Sequence, residues 1–485
     1  MASCHLRDRI GWDSHLRPFL FKKLPPSTGW SATLGSLSAL LFLVMAVTGM
    51  FLAMYYNPSP DKAYQSIDYI MNDVTLGRIL RGLHHWGAGA MVLVVAVHLL
   101  TNFFTGTYKA PRELTWIVGV MLFILTLALG FTGYLLPWDM KAYWATVVSS
   151  NIPKDIPVVG QFLTRFVLGG DGMSGLTLTR FYSIHMLVLP ALLVVFVAMH
   201  IYLVRIHGMA EHKAPAKGED AKPACACADS EKLYRFHPEH TLRSALVFVC
   251  VFIVLLALAA WGTVPREEIA GTLLDSYLPR PEWYYMWLFQ LLTYFSGAWE
   301  TVGSLAIPVV GVGLLFATPY IGRSTLLGAA NRPLPVAIGV TAIICVVYLS
   351  LMGFESARPY GQIVIVPDRE LSAVEQRGLY LYADRECAYC HQIKGRGGHR
   401  TGPDMANMAA KKRSIDYMER YIKDPQKVSS TSVMPKYDLP DADRKALATF
   451  TLCLRDIDAK GAKRLDGKEV LKTFAPAAPQ APALP

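Results

Sequence analysis

Cysteine is scarce in this chain, eight among 485 residues, and the eight form no disulfide framework. Cys250 and Cys345 fall in apolar runs and read as small core residues. Cys225 and Cys227, in "KPACACADSEK", fall in a charged, Ala/Pro-rich stretch, where reduced thiols on a flexible connector are expected and a metal site is the alternative. An unbroken apolar core is missing from the N-terminal "MASCHLRDRIGWDSHLRPFLFKK", so no cleaved signal peptide is expected there. No repeat occurs at solenoid periods. The net charge is +10, yet nothing in its distribution points to a nucleic-acid partner.

What the chain has in quantity is apolar sequence. It is 53% hydrophobic, with a mean hydropathy of +0.31, above the range of ordinary soluble domains. A bilayer core takes about 20 apolar residues per helix. Seven such runs are present: 33–55, 86–104, 115–136, 181–204, 242–263, 303–321 and 334–352. The lipid bilayer is therefore an expected partner, and the chain is read as multi-pass. With the N-terminus inside, the inner connections hold 16 Lys and Arg and the outer ones 6, so the N-terminus is placed in the cytoplasm. Seven crossings then put everything after residue 353 on the outer side of a cell (cytoplasmic) membrane. The basic inner collar accounts for the net charge.

Histidine in such runs needs a reason, because burying an ionisable group in hydrocarbon is costly. "RILRGLHHWGAGAMVLVVAVHLL" carries His84, His85 and His98, and "RFYSIHMLVLPALLVVFVAMHIYL" carries His185 and His200. At 100° per residue, the 14 steps from His84 to His98 return to within about 40° and rise about 21 Å. His185 to His200 is 15 steps, about 60° off and about 22 Å along. His85 would point about 140° from His98 and is the extra residue. The intervening helix makes the two histidine helices parallel, so His84 with His185 and His98 with His200 form an outer and an inner pair. Zinc would want a polar set of three or four ligands. Two imidazoles per level in an apolar bundle suit haem iron. Gly35 and Gly49 in the first run, and Gly119 and Gly133 in the third, are each 14 apart and match this ladder, as a porphyrin close to the backbone requires.

With "RGLHHW", "PRELTW", "GYLLPWDMKAYWA", "LTRFYSIH" and "PEWYYMWLFQLL", residues 12–355 resemble the cytochrome b subunit of Rieske/cytochrome b quinol oxidoreductases. The 15-residue histidine spacing, "YKAPRELTW" and the absence of an eighth helix resemble the chloroplast and cyanobacterial branch. Two departures stand out. Thr33 in "SATLGS" replaces the cysteine that covalently holds an extra haem in chloroplast-type proteins, so none is expected here. His85 stands where those relatives have Arg. The resemblance implies an outer quinol-oxidation site lined by Pro281, Glu282, Trp283 and Tyr284 with Tyr134, Tyr143 and Trp144. Glu282, beside the aromatic run "WYYMW", is then the proton acceptor, with Tyr284 and Tyr143 beside it; an interfacial aromatic belt is the plainer alternative. Arg205 and His207 are candidates for the inner quinone site, or for meeting haem propionates or lipid phosphates. Arg81 is assigned to an outer-haem propionate, because a buried carboxylate needs a cation.

Beyond the seventh run, "CAYCH" is a strong signal for haem c: Cys387 and Cys390 form thioethers and His391 ligates iron. Met434, in "TSVMPKYD", is the expected sixth ligand, ahead of Met405, Met408 and Met418. "GPDM" and "LPDADRKALATFTL" resemble class I cytochromes c.

The expected architecture is all-α: a polytopic bundle of seven membrane helices, the first four holding two non-covalent b haems, plus a small outer-side helical domain with one covalent haem c. Its divisions are a cytoplasmic segment 1–32, a di-haem domain 33–204, a cytoplasmic linker 205–243, a three-helix domain 244–355, a connector 356–370, a cytochrome c domain 371–457 and a disordered tail 458–485. The implied function is the cytochrome b subunit of a quinol:cytochrome c-type oxidoreductase. Quinol would be oxidised outside and its electrons bifurcated to a Rieske protein and, through the b haems, to quinone inside, contributing to proton translocation. Haem c would be acceptor or relay. The chain has no second Cys/His cluster for a 2Fe–2S centre, so the Rieske protein is an expected partner, with a downstream cytochrome c or similar acceptor, in a homodimer within a multisubunit complex. The rival is a di-haem membrane anchor relaying electrons for a soluble dehydrogenase, in which "PEWY" would have no role.

Overall fold

The computed structural model describes residues 17, 21–25, 28–156, 159–170, 172–210, 235–270, 280–295, 299, 301–321, 326–355, 363–395, 402–429, 432, 434–457 and 461–475. Among the described residues, seven helices are long and apolar enough to cross a membrane. They are α1 (Trp30–Ala53), α2 (Gly77–Thr105), α3 (Glu113–Tyr134), α5 (Gly175–His207), α6 (Phe236–Trp261), α7 (Val302–Ile321) and α8 (Pro333–Glu355), with the shorter α4 (Met140–Asn151) between α3 and α5. Their outward faces are apolar: Leu43, Val195, Ile344 and Leu351 are all more than half exposed. Helices can leave such faces bare in lipid, because their backbone groups are satisfied within the element. This is a membrane protein, mostly helical. Residues 211–234, with Cys225 and Cys227, lie outside the described residues.

The chain forms two compact units. The first gathers residues 1–138, 174–266 and 308–345. In it α2 packs on α1 and α6, and α3 packs on α5. Leu37, Leu41, Leu83, Met91, Leu193 and Leu255 are buried together at its centre. Gly82 lets α2 approach α6, since a Cβ there would sit 2.8 Å from the Ala259 Cβ. Buried Arg332 closes the end of α2, donating to the Phe103 carbonyl at 2.5 Å, the Phe104 carbonyl at 3.1 Å and the Tyr108 hydroxyl at 2.5 Å. The last carbonyls of a helix lack internal donors, and the guanidinium supplies them.

The second unit gathers residues 139–173, 267–307 and 346–485. Asp139 caps α4 by accepting from the Ala142 N–H at 2.9 Å, and accepts from the Glu267 N–H at 3.3 Å. In the C-terminal part, α9 (Ala373–Asp384) starts at a Ser372/Glu375 capping box and crosses α10 (Asp441–Cys453). The crossing is close at Gly378, where a Cβ would lie 2.5 Å from that of Phe450. Tyr382 and Phe450 pack 5.4 Å apart beside it.

The tail requires a correction. Strand β2 (Ala462–Asp466) pairs antiparallel with β1 (Ile363–Pro367), Ile363 opposite Asp466, and α11 (Gly467–Thr473) follows. Residues 462–473 were expected in a disordered tail and 363–367 in a plain connector. "VIVP" at 364–367 is a short apolar run that buries Val364, Ile365 and Val366, and Val470 seals the same core. The charges of "AKRLD" masked the strand, whose side chains are mostly exposed. Residues 476–485 lie outside the described residues.

Candidate functional site

Each histidine helix is backed by a glycine helix. A Cβ built on Gly49 of α1 would lie 3.1 Å from His84 Cε1, and one on Gly35 would lie 3.4 Å from His98 Cε1. On α3, Gly133 would meet His185 Cε1 at 2.5 Å and Gly119 would meet His200 Cε1 at 3.4 Å. All eight residues of the ladder are thus brought together in four Gly–His contacts at two levels.

The His84 and His185 rings face each other with centroids 6.4 Å apart and planes 77° apart. A metal–imidazole bond is about 2 Å. With ~1.1 Å from ring centre to nitrogen on each side, two imidazoles that shared one metal ion between them would stand about 6.2 Å apart. The pair therefore fits a bis-imidazole iron.

The tautomers agree. Thr48 Oγ1 donates to the Val44 carbonyl at 2.7 Å, so it accepts from His84 Nδ1–H at 2.9 Å. Thr132 Oγ1 donates to the Ala128 carbonyl at 2.8 Å and accepts from His185 Nδ1–H at 3.1 Å. With its proton on Nδ1, each ring has a bare Nε2, and the threonine is the second contact that orients a ligating histidine. Neither threonine emerges from histidine spacing alone. The signal was the dipeptide Thr-Gly, at 48–49 and again at 132–133.

The 15-residue spacing on α5 also has a structural answer. Residues Ile184–Val188 form a π-helical turn, in which the Leu189 N–H bonds to the Ile184 carbonyl five residues back. One inserted residue makes 15 steps equivalent to 14. His185 and His200 are then about 40° out of line, as His84 and His98 are, not the 60° of a straight helix. His85 instead packs edge-on against Trp86 at 4.9 Å.

Arg81, one turn before His84, is buried, and its Nη1 reaches Met71 Sδ at 3.5 Å. Arg205 lies 4.4 Å from the Phe236 ring centre, and its carbonyl accepts from Lys22 Nζ at 2.7 Å. The His207 carbonyl accepts from Arg112 at 3.4 Å. Lys22, Arg112 and Phe236 are distant in sequence, and nothing local predicted them.

In the second unit, Lys141 Nζ stands 3.1 Å from Glu282 Oε1, with side chains 24% and 21% exposed. The sequence surrounded Glu282 with aromatic rings; the fold adds a cation and leaves the carboxylate partly exposed. Tyr143 and Trp144, on the same helix as Lys141, pack edge-on at 5.5 Å. Trp283 and Tyr284 do the same at 5.4 Å in a short 3₁₀ turn. Burial, and then the neighbouring Tyr285 and Glu282, hold the Tyr284 phenol well above its usual range, so it is a neutral hydroxyl donor. Tyr134 ends α3 in the first unit.

In "CAYCH", one helical turn, Cys387–Cys390, aligns two free thiols, and the His391 N–H bonds to the Cys387 carbonyl at 3.0 Å. His391 Nδ1–H donates to the Pro403 carbonyl at 2.9 Å, leaving Nε2 bare. Burial holds this imidazole below its usual range. Gly402 is the cradle, since a Cβ there would lie 2.6 Å from His391 Nδ1. Asp404 fixes the loop by accepting from the Lys394, Gly395 and Ala406 N–H groups. The Tyr382 hydroxyl is buried with no partner among the described residues. An orphaned hydroxyl costs about 1–3 kcal/mol, so a bound group with a polar edge suits the crevice. Met434 packs against the core, its N–H donating to Ser432 Oγ at 3.3 Å; Met405 and Met418 are buried within the core.

The Cytochrome b/b6/petB family matches residues 22–208, and the Cytochrome c family matches residues 375–454. Cytochrome b6 of Prochlorococcus marinus (strain MIT 9303) is 43% identical over 188 residues, 39% of this chain and 86% of the relative. Cytochrome b6 of Synechococcus sp. (strain CC9311) is 42% identical over 191 residues, 39% of this chain and 88% of the relative. A solved chain of a hyperthermophilic respiratory Complex III is similar over 73% of this chain and 92% of its own length, with 27% identity and a TM-score of 0.63. The chain thus belongs to the cytochrome b/b6 family, with a cytochrome c domain at its C-terminal end.

Proposed function

We propose that the chain is the cytochrome b subunit of a Complex III-like quinol oxidoreductase that oxidises quinol at the segment Pro281–Tyr284. The observation that carries this reading is the Lys141–Glu282 contact, which brings "PWDMKAYW" and "PEWY" together. A di-haem anchor for a soluble dehydrogenase has no use for that arrangement.

His84 and His185 hold an outer haem b, with Gly49, Gly133 and Arg81, and His98 and His200 hold an inner one, with Gly35 and Gly119. Cys387, Cys390, His391 and Met434 hold haem c. Iron at two depths supplies one-electron carriers, as division of quinol's two electrons between a Rieske partner and an inner quinone requires.

Quinol loses two protons as it gives up two electrons. Glu282 accepts one, held in place by Lys141, and being partly exposed it can pass that proton to outer water. Tyr284, Tyr143 and Trp144 bound the ring, with Tyr284 as hydroxyl donor. Pro281 and Trp283 set the turn. At the cytoplasmic ends, Arg205 and His207 serve the inner quinone. The N-terminus is cytoplasmic, the cytochrome c domain periplasmic, and the assembly a homodimer with a Rieske protein and a downstream cytochrome c or similar acceptor.

Glu282→Gln keeps shape but removes the base. Quinol oxidation should slow by roughly 10²- to 10⁴-fold where proton transfer limits the rate, with an altered pH profile. The b-haem spectra, and reduction of the b haems from the inner side, should persist. Wild-type turnover across the pH range would sink the proposal.

A further inference from the structure

Thr48 and Thr132 occupy equivalent places on two helices, each directly before a glycine of the ladder. The Thr-Gly dipeptide is a cradle with two parts. The glycine leaves room for the imidazole Cε1, and the threonine hydroxyl meets Nδ1, at 2.9 Å for His84 and 3.1 Å for His185. Both threonines are buried. Each hydroxyl is itself held by donating to a carbonyl four residues back, at 2.7 Å for Thr48 and 2.8 Å for Thr132. The inner level keeps the glycines and lacks the hydroxyls. Leu34 precedes Gly35 and Val118 precedes Gly119, and neither side chain can accept a hydrogen bond. Among the described residues, no side chain hydrogen-bonds the buried His200 Nδ1. Two levels alike in their histidines and glycines thus differ by two hydroxyls.

We infer that Thr48 and Thr132 are positioning residues of the outer level alone, and that their hydroxyls hold the iron there at a lower potential than the same histidines would without them. The inference rests on the assignment of haem b to His84 and His185 given above. A hydrogen bond from Nδ1–H to an acceptor makes the imidazole a stronger electron donor at Nε2. A stronger donor favours the oxidised iron, which carries one positive charge more than the reduced iron. The imidazole donates to the hydroxyl and the hydroxyl to a helix carbonyl, so each link polarises the next. The same contact fixes the rotation of each ring, and with it the 77° between the two ring planes.

The test is a potentiometric titration of the full-length protein in its complex, resolving the two b haems. Low-spin electron paramagnetic resonance spectra go with it, because their signal positions follow the angle between ligand planes. Thr48→Val and Thr132→Val keep the shape and remove the hydroxyl. Each should raise the outer midpoint and move the outer signal, leaving the inner haem unchanged. Thr48→Ser and Thr132→Ser should bring both readouts back toward wild type, which a purely packing role would not produce. An unmoved outer midpoint in both valine variants overturns the inference, and so does an equal shift at the two levels. If the valine variants lose the outer haem, Val118→Thr decides. It offers His200 the missing hydroxyl without a change of shape and should lower the inner midpoint alone; an unmoved inner midpoint overturns the inference. A wild-type complex with a single b haem and no outer signal would instead refute the haem assignment itself.

Discussion

Gly133→Ala puts the outer haem site to its most direct test. A Cβ at residue 133 would lie 2.5 Å from His185 Cε1 and 3.1 Å from both ring nitrogens. Non-bonded carbon atoms settle at about 3.5–4.0 Å, so the ring must retreat by ~1 Å. It is poorly placed to do so, because Thr132, on the same helix as Gly133, holds Nδ1 at 3.1 Å. Overpacking of this kind costs about 1–3 kcal/mol, which is about 5- to 150-fold in haem affinity. Gly119→Ala is the internal control: its Cβ would meet His200 Cε1 at 3.4 Å, the edge of ordinary contact. Redox difference spectra of the purified complex, with a titration that resolves the two b haems, should show Gly133→Ala losing or shifting the outer haem and Gly119→Ala retaining both. Full occupancy and an unchanged outer potential in Gly133→Ala would refute the ladder, as would equal damage from the two variants.

Three further outcomes are expected. Pyridine haemochrome spectra should give a b to c ratio near two, and denaturing gels stained for haem should show one covalent haem on the full-length band; a second would overturn the reading of Thr33. Met434→Ala should keep haem c attached through Cys387 and Cys390 but lose the Met–iron charge-transfer band and lower the potential; a surviving band would point to Met405. Acid should loosen the cytochrome c domain through Glu375, whose hydrogen bonds to Arg369 hold its carboxyl at about 2, from an ordinary 4.5. A depressed carboxylate contributes stability that is full above its unfolded value and lost as pH falls from about 4.5 toward 2. Its worth is at most about 3 kcal/mol, and solvent screening leaves roughly 1–2. Glu375→Gln should abolish that part of the acid sensitivity in Soret circular dichroism, and an unchanged acid midpoint would remove the assignment.

The membrane architecture was legible in the sequence because lipid imposes a one-dimensional rule. Apolar runs of fixed length must be helices, and their number follows without knowledge of packing. The histidine and glycine ladders were legible for the same reason, since a regular helix converts spacing into depth and direction. That conversion failed at α5, where the π turn at Ile184–Val188 absorbs one residue. No composition rule marks such a turn, because it is settled by which face must meet a neighbouring helix. The tail failed differently. "AKRLD" carries no period-two apolar signal, and it becomes a strand because Ile363–Pro367 offers it a partner about a hundred residues away. Thr48 and Thr132, Pro403 beneath His391, and Lys141 beside Glu282 are contacts between segments separated in sequence. A sequence names candidate ligands, because their chemistry is carried by residue type; it does not name the groups that orient them. A hydrogen bond is decided by position to within a few tenths of an ångström, and only the packed helices set that position.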